Sequence, residues 1–210
     1  MNADAIIPIV MVLTVALAVI VIAIFQAKKA KANLVALGDK LGLALKTEGS
    51  LFKKHRLTGT LRGKSVEVFG YTTGSGKSQR RWVAISVRIK ATGGLTFSLK
   101  RRSSVFDFVA KLFRKNSVEI GDVAFDKKWV LITNQPDFMR TALLPELREK
   151  IMGLSGGSVA SGHYKCEGFT VQYAEQSSFS SAKLCTRFEG LAGLVCDLTD
   201  VVEIGAEVQK

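Results

Sequence analysis

Ala5 to Phe25 is a run of 21 residues without a single charge, AIIPIVMVLTVALAVIVIAIF, and it limits the possible folds of this chain more than any other feature. At 1.5 Å rise per residue a helix of that length covers about 31 Å, close to the roughly 30 Å hydrocarbon core of a bilayer. No residue in it is polar enough to face water, so a soluble core helix is a poor alternative. Pro8 falls in the first turn, where a missing N–H costs little. Thr14 can return its hydroxyl to its own helix. A cleaved leader would call for a basic start, a shorter apolar stretch and a small-residue cleavage site. The start here, MNAD, has no Lys or Arg. The expectation is an uncleaved anchor over residues 1–25.

The flanks orient it. Lys28, Lys29 and Lys31 follow the run, and only Asp4 precedes it. Cations stay on the cytoplasmic side, so the expected location is the inner (cytoplasmic) membrane, single-pass, with the C-terminal domain in the cytoplasm. Net charge is +12 over 210 residues, unevenly spread. Residues 26–115 carry 21 Lys and Arg against 4 Asp and Glu, and residues 116–210 carry 9 against 13. A basic half attracts phosphate, either lipid headgroups or nucleic acid.

Residues 26–50 read as a juxtamembrane helix and linker, and 51–210 as a cytoplasmic domain. Leu34, Leu37, Leu41 and Leu45 mark one face of a helix over Gln26–Lys46, with Gly38 and Gly42 permitting a kink. From Leu51 the period changes to two. Four strands are predicted at about 57–62, 65–72, 81–90 and 95–100. Their turns lie at Arg62-Gly63-Lys64, Thr73–Ser78 and Thr92-Gly93-Gly94. Short turns predict a sequential antiparallel meander with Val66, Val68, Val83, Ile85, Val87 and Ile89 inward. Next come a helix from Ser103 or Ser104 to Arg114, a strand at 128–133, and two short helices, the second beginning at Pro145. A Gly/Ser-rich loop over 154–162, a hairpin turning at Glu167-Gly168 and a long helix over Ser180–Ile204 complete the chain. The fold class is α+β: a single N-terminal transmembrane helix, then an antiparallel sheet with packed helices.

Most chemical motifs fail on inspection. Gly74-Ser75-Gly76-Lys77-Ser78 mimics the end of a phosphate-binding loop. Tyr71, however, occupies the place of the required glycine, and a strand, not a helix, follows. Cys166, Cys185 and Cys196 read as reduced core thiols. His163 and Cys166 have ligand-like spacing, but Cys185 and Cys196 would lie three helical turns apart, so no metal and no cofactor is expected. Asp122 and Asp126 could form an acid/base pair for a ligand-binding or hydrolytic domain. Turn capping by Gly121-Asp122, with Phe125 and Trp129 anchoring the turn, is the structural alternative.

Residues 120–151, IGDVAFDKKWVLITNQPDFMRTALLPELREKI, resemble a pattern found in uncharacterised, often membrane-anchored bacterial proteins: TGD-x-x-FD, an aromatic, a strand, and an LL-x-PELR helix. An upstream G-x-x-x-G-x-x-V element is matched by Gly59, Gly63 and Val66. Ile120 replaces the usual threonine and Trp129 the usual phenylalanine. The resemblance spans about residues 33–200. It implies a bacterial source and a shared fold, and adds no activity.

The remaining candidates are basic: Lys53, Lys54 and Arg56, then Arg80 and Arg81, then Lys100, Arg101 and Arg102. They fall at strand ends and could gather on one edge. The expected role is a non-enzymatic, membrane-anchored scaffold or protein-interaction domain. Lys28, Lys29, Lys31 and these clusters would face anionic lipid, with the acidic C-terminal part free for a protein partner. RNA binding is the alternative, with Phe69, Tyr71, Trp82 and Phe97 available for stacking.

Overall fold

The computed structural model describes residues 3–49, 54–102, 117–155 and 162–208. The expected helix over 103–114 and residue Lys53 lie outside these. Helix α1 (Ala3–Leu41) is continuous from the apolar run into the domain. Every side chain from Val10 to Phe25 is exposed, and the helix is long and apolar enough to cross a membrane. Thr14 Oγ1 donates to Met11 O at 2.9 Å. Farther on, Leu34, Leu37 and Leu41 turn inward and are buried.

The expected helix to Lys46 stops early, at Leu41. Gly42 takes φ +67, and Leu43 N donates to Gly38 O at 2.9 Å. This six-to-one closure uses the glycine as a left-handed cap, so Gly42 ends the helix and does not kink it. The chain then reverses into β1 (Ala44–Glu48), which pairs with β2 (Lys54–Leu61). Arg62 and Gly63, both at positive φ, turn β2 into β3 (Lys64–Thr73). That is the two-residue hairpin whose twist suits the flanking strands. A loop containing a 3-10 turn at Gly76–Ser78 leads to β4 (Arg80–Arg88).

The expected meander breaks here. β5 (Phe97–Arg101) does not join β4 but pairs with β7 (Trp129–Thr133) and β8 (His163–Glu167). The β8–β9 hairpin, with β9 at Thr170–Gln176, fills the gap, and β9 pairs with β4. The two-residue β6 (Ser117–Val118) closes the far edge, for an order of β1-β2-β3-β4-β9-β8-β5-β7-β6, antiparallel throughout. β9 buries Val171, Tyr173, Ala174 and Glu175, so burial at the sheet centre outweighs the short connection that local reading favours.

Helices α2 (Val123–Lys128), α3 (Pro136–Ala142), α4 (Pro145–Leu154) and α5 (Ala182–Val208) complete the domain. α5 and the last turns of α1 cover one sheet face. The predicted inward residues Val66, Val68, Val83, Ile85, Val87 and Ile89 are all buried there. They meet Leu184, Phe188, Leu191, Val195 and Leu198, an apolar stripe spaced three and four residues apart on α5, with Val201 partly buried beside it. Burying each such side chain is worth about 1.5–3 kcal/mol. By alternation the opposite face carries Arg56, Glu67, Phe69, Tyr71, Trp82, Lys100 and Lys165.

Candidate functional site

Strand register shows where the basic clusters meet. Arg56, Phe69, Ala84, Ala174, His163, Lys100 and Val130 are successive partners across the sheet. Moving from this row in one direction along the strands reaches Lys54 on β2, Arg80 and Arg81 at the start of β4, and Arg101 and Arg102 after Lys100. The clusters therefore share one end of the sheet. α1 reaches the same end. Its Ala30 lines a groove of about 540 Å³ with Lys54, Arg56, Tyr71, Arg81 and Trp82. Asn33 Nδ2 donates to Phe179 O at 2.8 Å and ties the helix to the loop before α5. Lys28, Lys29 and Lys31 thus join the same basic end. Ala30 is five residues past Phe25, about 7.5 Å along the helix axis.

The groove has a structural cause. The β2–β3 ladder begins only at Arg56–Phe69, while β1–β2 continues to Glu48–Lys54 and β3–β4 to Thr73–Arg80. The two hairpins part there and leave a notch. Tyr71 and Trp82 stack on one wall, with ring centroids 6.2 Å apart and planes at 10°. Phe69 lies 5.9 Å from Tyr71, and His163 meets the Trp82 ring edge-on. Phe69, Tyr71 and Trp82 are the aromatics that sequence alone leaves without a face. The signal was present: if Val66, Val68 and Val83 face inward, Phe69, Tyr71 and Trp82 face the other way. Phe97 shares the parity of Leu99 and is buried.

Electrostatics differ between the two ends. At the far end Arg62 pairs with Asp197 at 2.6 Å. Lys64 meets Asp200 at 2.9 Å and Glu203 at 2.5 Å, and Lys150 meets Asp197 at 2.9 Å. Of the acidic residues on α5, Asp197, Asp200 and Glu203 are thus engaged within the chain, by Arg62 and Lys64 at the β2–β3 turn and by Lys150 of α4. At the basic end Arg56 bridges Glu48 at 2.9 Å and Glu67 at 3.4 Å. Lys54, Arg80 and Arg81 form no ion pair among the described residues.

The two aspartates are turn residues. Asp122 caps α2, its Oδ1 accepting from Ala124 N at 3.0 Å and Phe125 N at 3.1 Å. Asp126 accepts from Ile120 N at 3.1 Å and Gly121 N at 2.9 Å. Gly121 takes φ +91 to make the bend. Phe125 and Trp129 are buried and stacked, with centroids 6.3 Å apart. Asp122 also lies 3.4 Å from Arg148. That contact joins the two halves of the GD-x-x-FD and PELR pattern.

His163 and Cys166 diverge, since a spacing of three in a strand puts them on opposite faces. Cys166 is buried and its Sγ reaches Leu95 O at 3.5 Å. Burial pushes its thiol up to about 11 and raises Cys185 and Cys196 as well, so all three are protonated and weakly nucleophilic at neutral pH. Among the described residues no group of three or more His, Cys, Asp or Glu could hold a metal ion. One buried network went unread in the sequence. Glu175, fully buried, receives the Tyr173 hydroxyl at 2.5 Å and the Arg187 guanidinium, which fixes the start of α5 to the sheet centre.

No protein-family model matches the sequence, and no curated protein matches it. Among solved structures, the crystal structure of the mycobacterial trehalose monomycolate transport factor A, TtfA, is similar at 11% identity and a TM-score of 0.49, covering 85% of this chain and 95% of that one.

Proposed function

We propose that this chain is a single-span membrane protein whose sheet domain works, without catalysis, as a scaffold holding a protein partner at the cytoplasmic leaflet, with its basic end on anionic lipid headgroups. The observation that carries this reading is the gathering of the basic clusters at the sheet end from which α1 departs toward its apolar run. The 7.5 Å between Phe25 and Ala30 compares with a headgroup layer of roughly 5–7 Å on each side of the hydrocarbon core. Each cation near an anionic surface contributes about 1 kcal/mol. Lys28, Lys29 and Lys31 support the cytoplasmic orientation. Membership in the bacterial GD-x-x-FD…PELR group is part of the proposal, and the Asp122–Arg148 contact supports it by giving both motif halves one structural task.

The test is vesicle sedimentation of a chain lacking residues 1–26, which retains Leu34, Leu37 and Leu41. Phosphatidylglycerol vesicles should retain it, phosphatidylcholine vesicles should not, and salt should weaken the binding. Replacing Lys100, Arg101 and Arg102 with Glu should reduce it several-fold. Salt-insensitive binding, or no change in the triple variant, would remove the lipid role. A second reading has its own observation: Phe69, Tyr71 and Trp82 are half-exposed beside cations, a surface on which single-stranded RNA could stack. Filter binding of RNA with a steep salt slope, without vesicle binding, would favour it.

A further inference from the structure

We propose that the notch between β2 and β3 is a stoichiometric site for one anionic phospholipid, whose phosphate is held by Lys54 and Arg81 and whose glycerol and upper acyl chain lie along Phe69, Tyr71 and Trp82. The inference rests on the membrane reading above and assigns it a specific lipid contact, distinct from diffuse attraction to the leaflet.

Four features point to this occupant. First, Lys54 and Arg81 line the groove without an ion-pair partner among the described residues, whereas Arg56 beside them is tied to Glu48 and Glu67. The groove thus keeps uncompensated positive charge next to a fixed guanidinium, which suits a phosphodiester. Second, the wall is amphipathic: the parallel Tyr71 and Trp82 rings present apolar faces, and such rings favour the headgroup level of a bilayer. Third, small residues keep the notch open. Ala30 and Gly70 both form part of its lining. Fourth, Ala30 fixes the groove about 7.5 Å along α1 from the apolar run, within reach of a lipid in the adjoining leaflet. A free phosphate would use the cations and leave the aromatic wall idle.

The test uses the full chain in a neutral detergent, titrated with dihexanoyl-phosphatidylglycerol, dihexanoyl-phosphatidylcholine or inorganic phosphate. Trp82 emission is read by difference from Trp82→Phe. Phosphatidylglycerol should give a saturable change at one lipid per chain. Lys54→Gln combined with Arg81→Gln removes two charge-assisted contacts and should weaken binding by roughly a hundredfold. Tyr71→Ala removes part of the aromatic wall without changing charge, so it should weaken the titration several-fold while leaving phosphatidylglycerol-vesicle sedimentation intact. Equal responses to both lipids, saturation by inorganic phosphate at the same affinity, or parental titration in the double variant would each overturn the site. If vesicle sedimentation still depends on Lys100, Arg101 and Arg102 in any of those cases, the leaflet reading survives the loss of the groove.

Discussion

At the scale of single residues, the motif that most resembled catalytic chemistry is a clasp. Asp122 satisfies two N–H groups of a six-residue helix and draws Arg148 of α4 toward it. The Arg148 Nε is buried without a hydrogen bond among the described residues, so the carboxylate is its available counter-charge. Asp122→Ala should therefore cost more than an ordinary cap, about 2–3 kcal/mol: ~1 for the cap, and the rest for a guanidinium left without its partner. Arg148→Met should cost less than the aspartate change, and the double variant should cost less than the two losses combined. Chemical denaturation of the four proteins measures this, and simple additivity would deny the coupling. Much of this was legible beforehand, because Gly-Asp before a short polar helix signals a turn. The Arg148 contact was not, because it joins residues 26 apart in sequence through a fold that no local pattern specifies. Glu175 was illegible for the same reason, since a lone acid in an alternating strand looks solvent-facing until Arg187 arrives from α5.

Among the elements, reading succeeded where hydrophobic period and turn chemistry agreed. The β2–β3 hairpin, the helix from Pro145 and the stripe on α5 follow from spacing alone. It failed at Ala44–Glu48, where good helix formers continue past Leu41 but a glycine cap and pairing with β2 win. Gly38 tests that junction. A Cβ there would meet Leu43 O and a Leu57 methyl, both at 2.8 Å. Gly38→Ala gains about 1 kcal/mol of helix propensity but must push α1 off β2, so net destabilisation is expected, against the propensity scale. A rise in melting temperature would show the junction to be compliant. The end of α5 carries a pH signature. Burial opposes charge on both Glu203 and Lys64, yet their mutual hydrogen bond, with Asp200 and the Lys90 N–H adding to it, lowers Glu203 and raises Lys64. The Glu203 contribution is complete above the unfolded carboxylate value and disappears as pH falls through its lower folded value. The Lys64 contribution is complete below the unfolded lysine value and disappears as pH rises through its higher folded value. The clamp should hold fully between about pH 5 and 10. Lys64→Met should flatten the acid limb of the stability profile attributable to Glu203, measured by difference from the parent.

For the whole molecule, the decisive fact is that the apolar run and the domain share one helix. Leu34, Leu37, Leu41 and, just beyond, Leu43 belong to the same core as Leu57 and Phe188. The core therefore begins well before residue 51, where the change of sequence period had suggested the domain starts. This makes truncation informative. Removing residues 1–26 deletes the exposed apolar surface of Val10–Phe25 and leaves in place every side chain buried among the described residues, so that chain should be soluble, fold cooperatively and melt near the parent temperature. Removing residues 1–50 strips four buried leucines and the β1 partner of β2. At about 1.5–3 kcal/mol per leucine the loss is roughly 6–12 kcal/mol, comparable to the whole stability of an ordinary domain. That chain should be unfolded or aggregated, with collapsed amide protection along β2 and α5. A well-folded product starting at residue 51 would mean that the helix merely rests on the domain. In that event nothing would fix the basic end of the sheet at headgroup depth, because only a rigidly seated α1 holds it there. Cooperative folding of the longer fragment and failure of the shorter one would make the span, the lysines after it and the groove a single rigid body, set at one height above the bilayer.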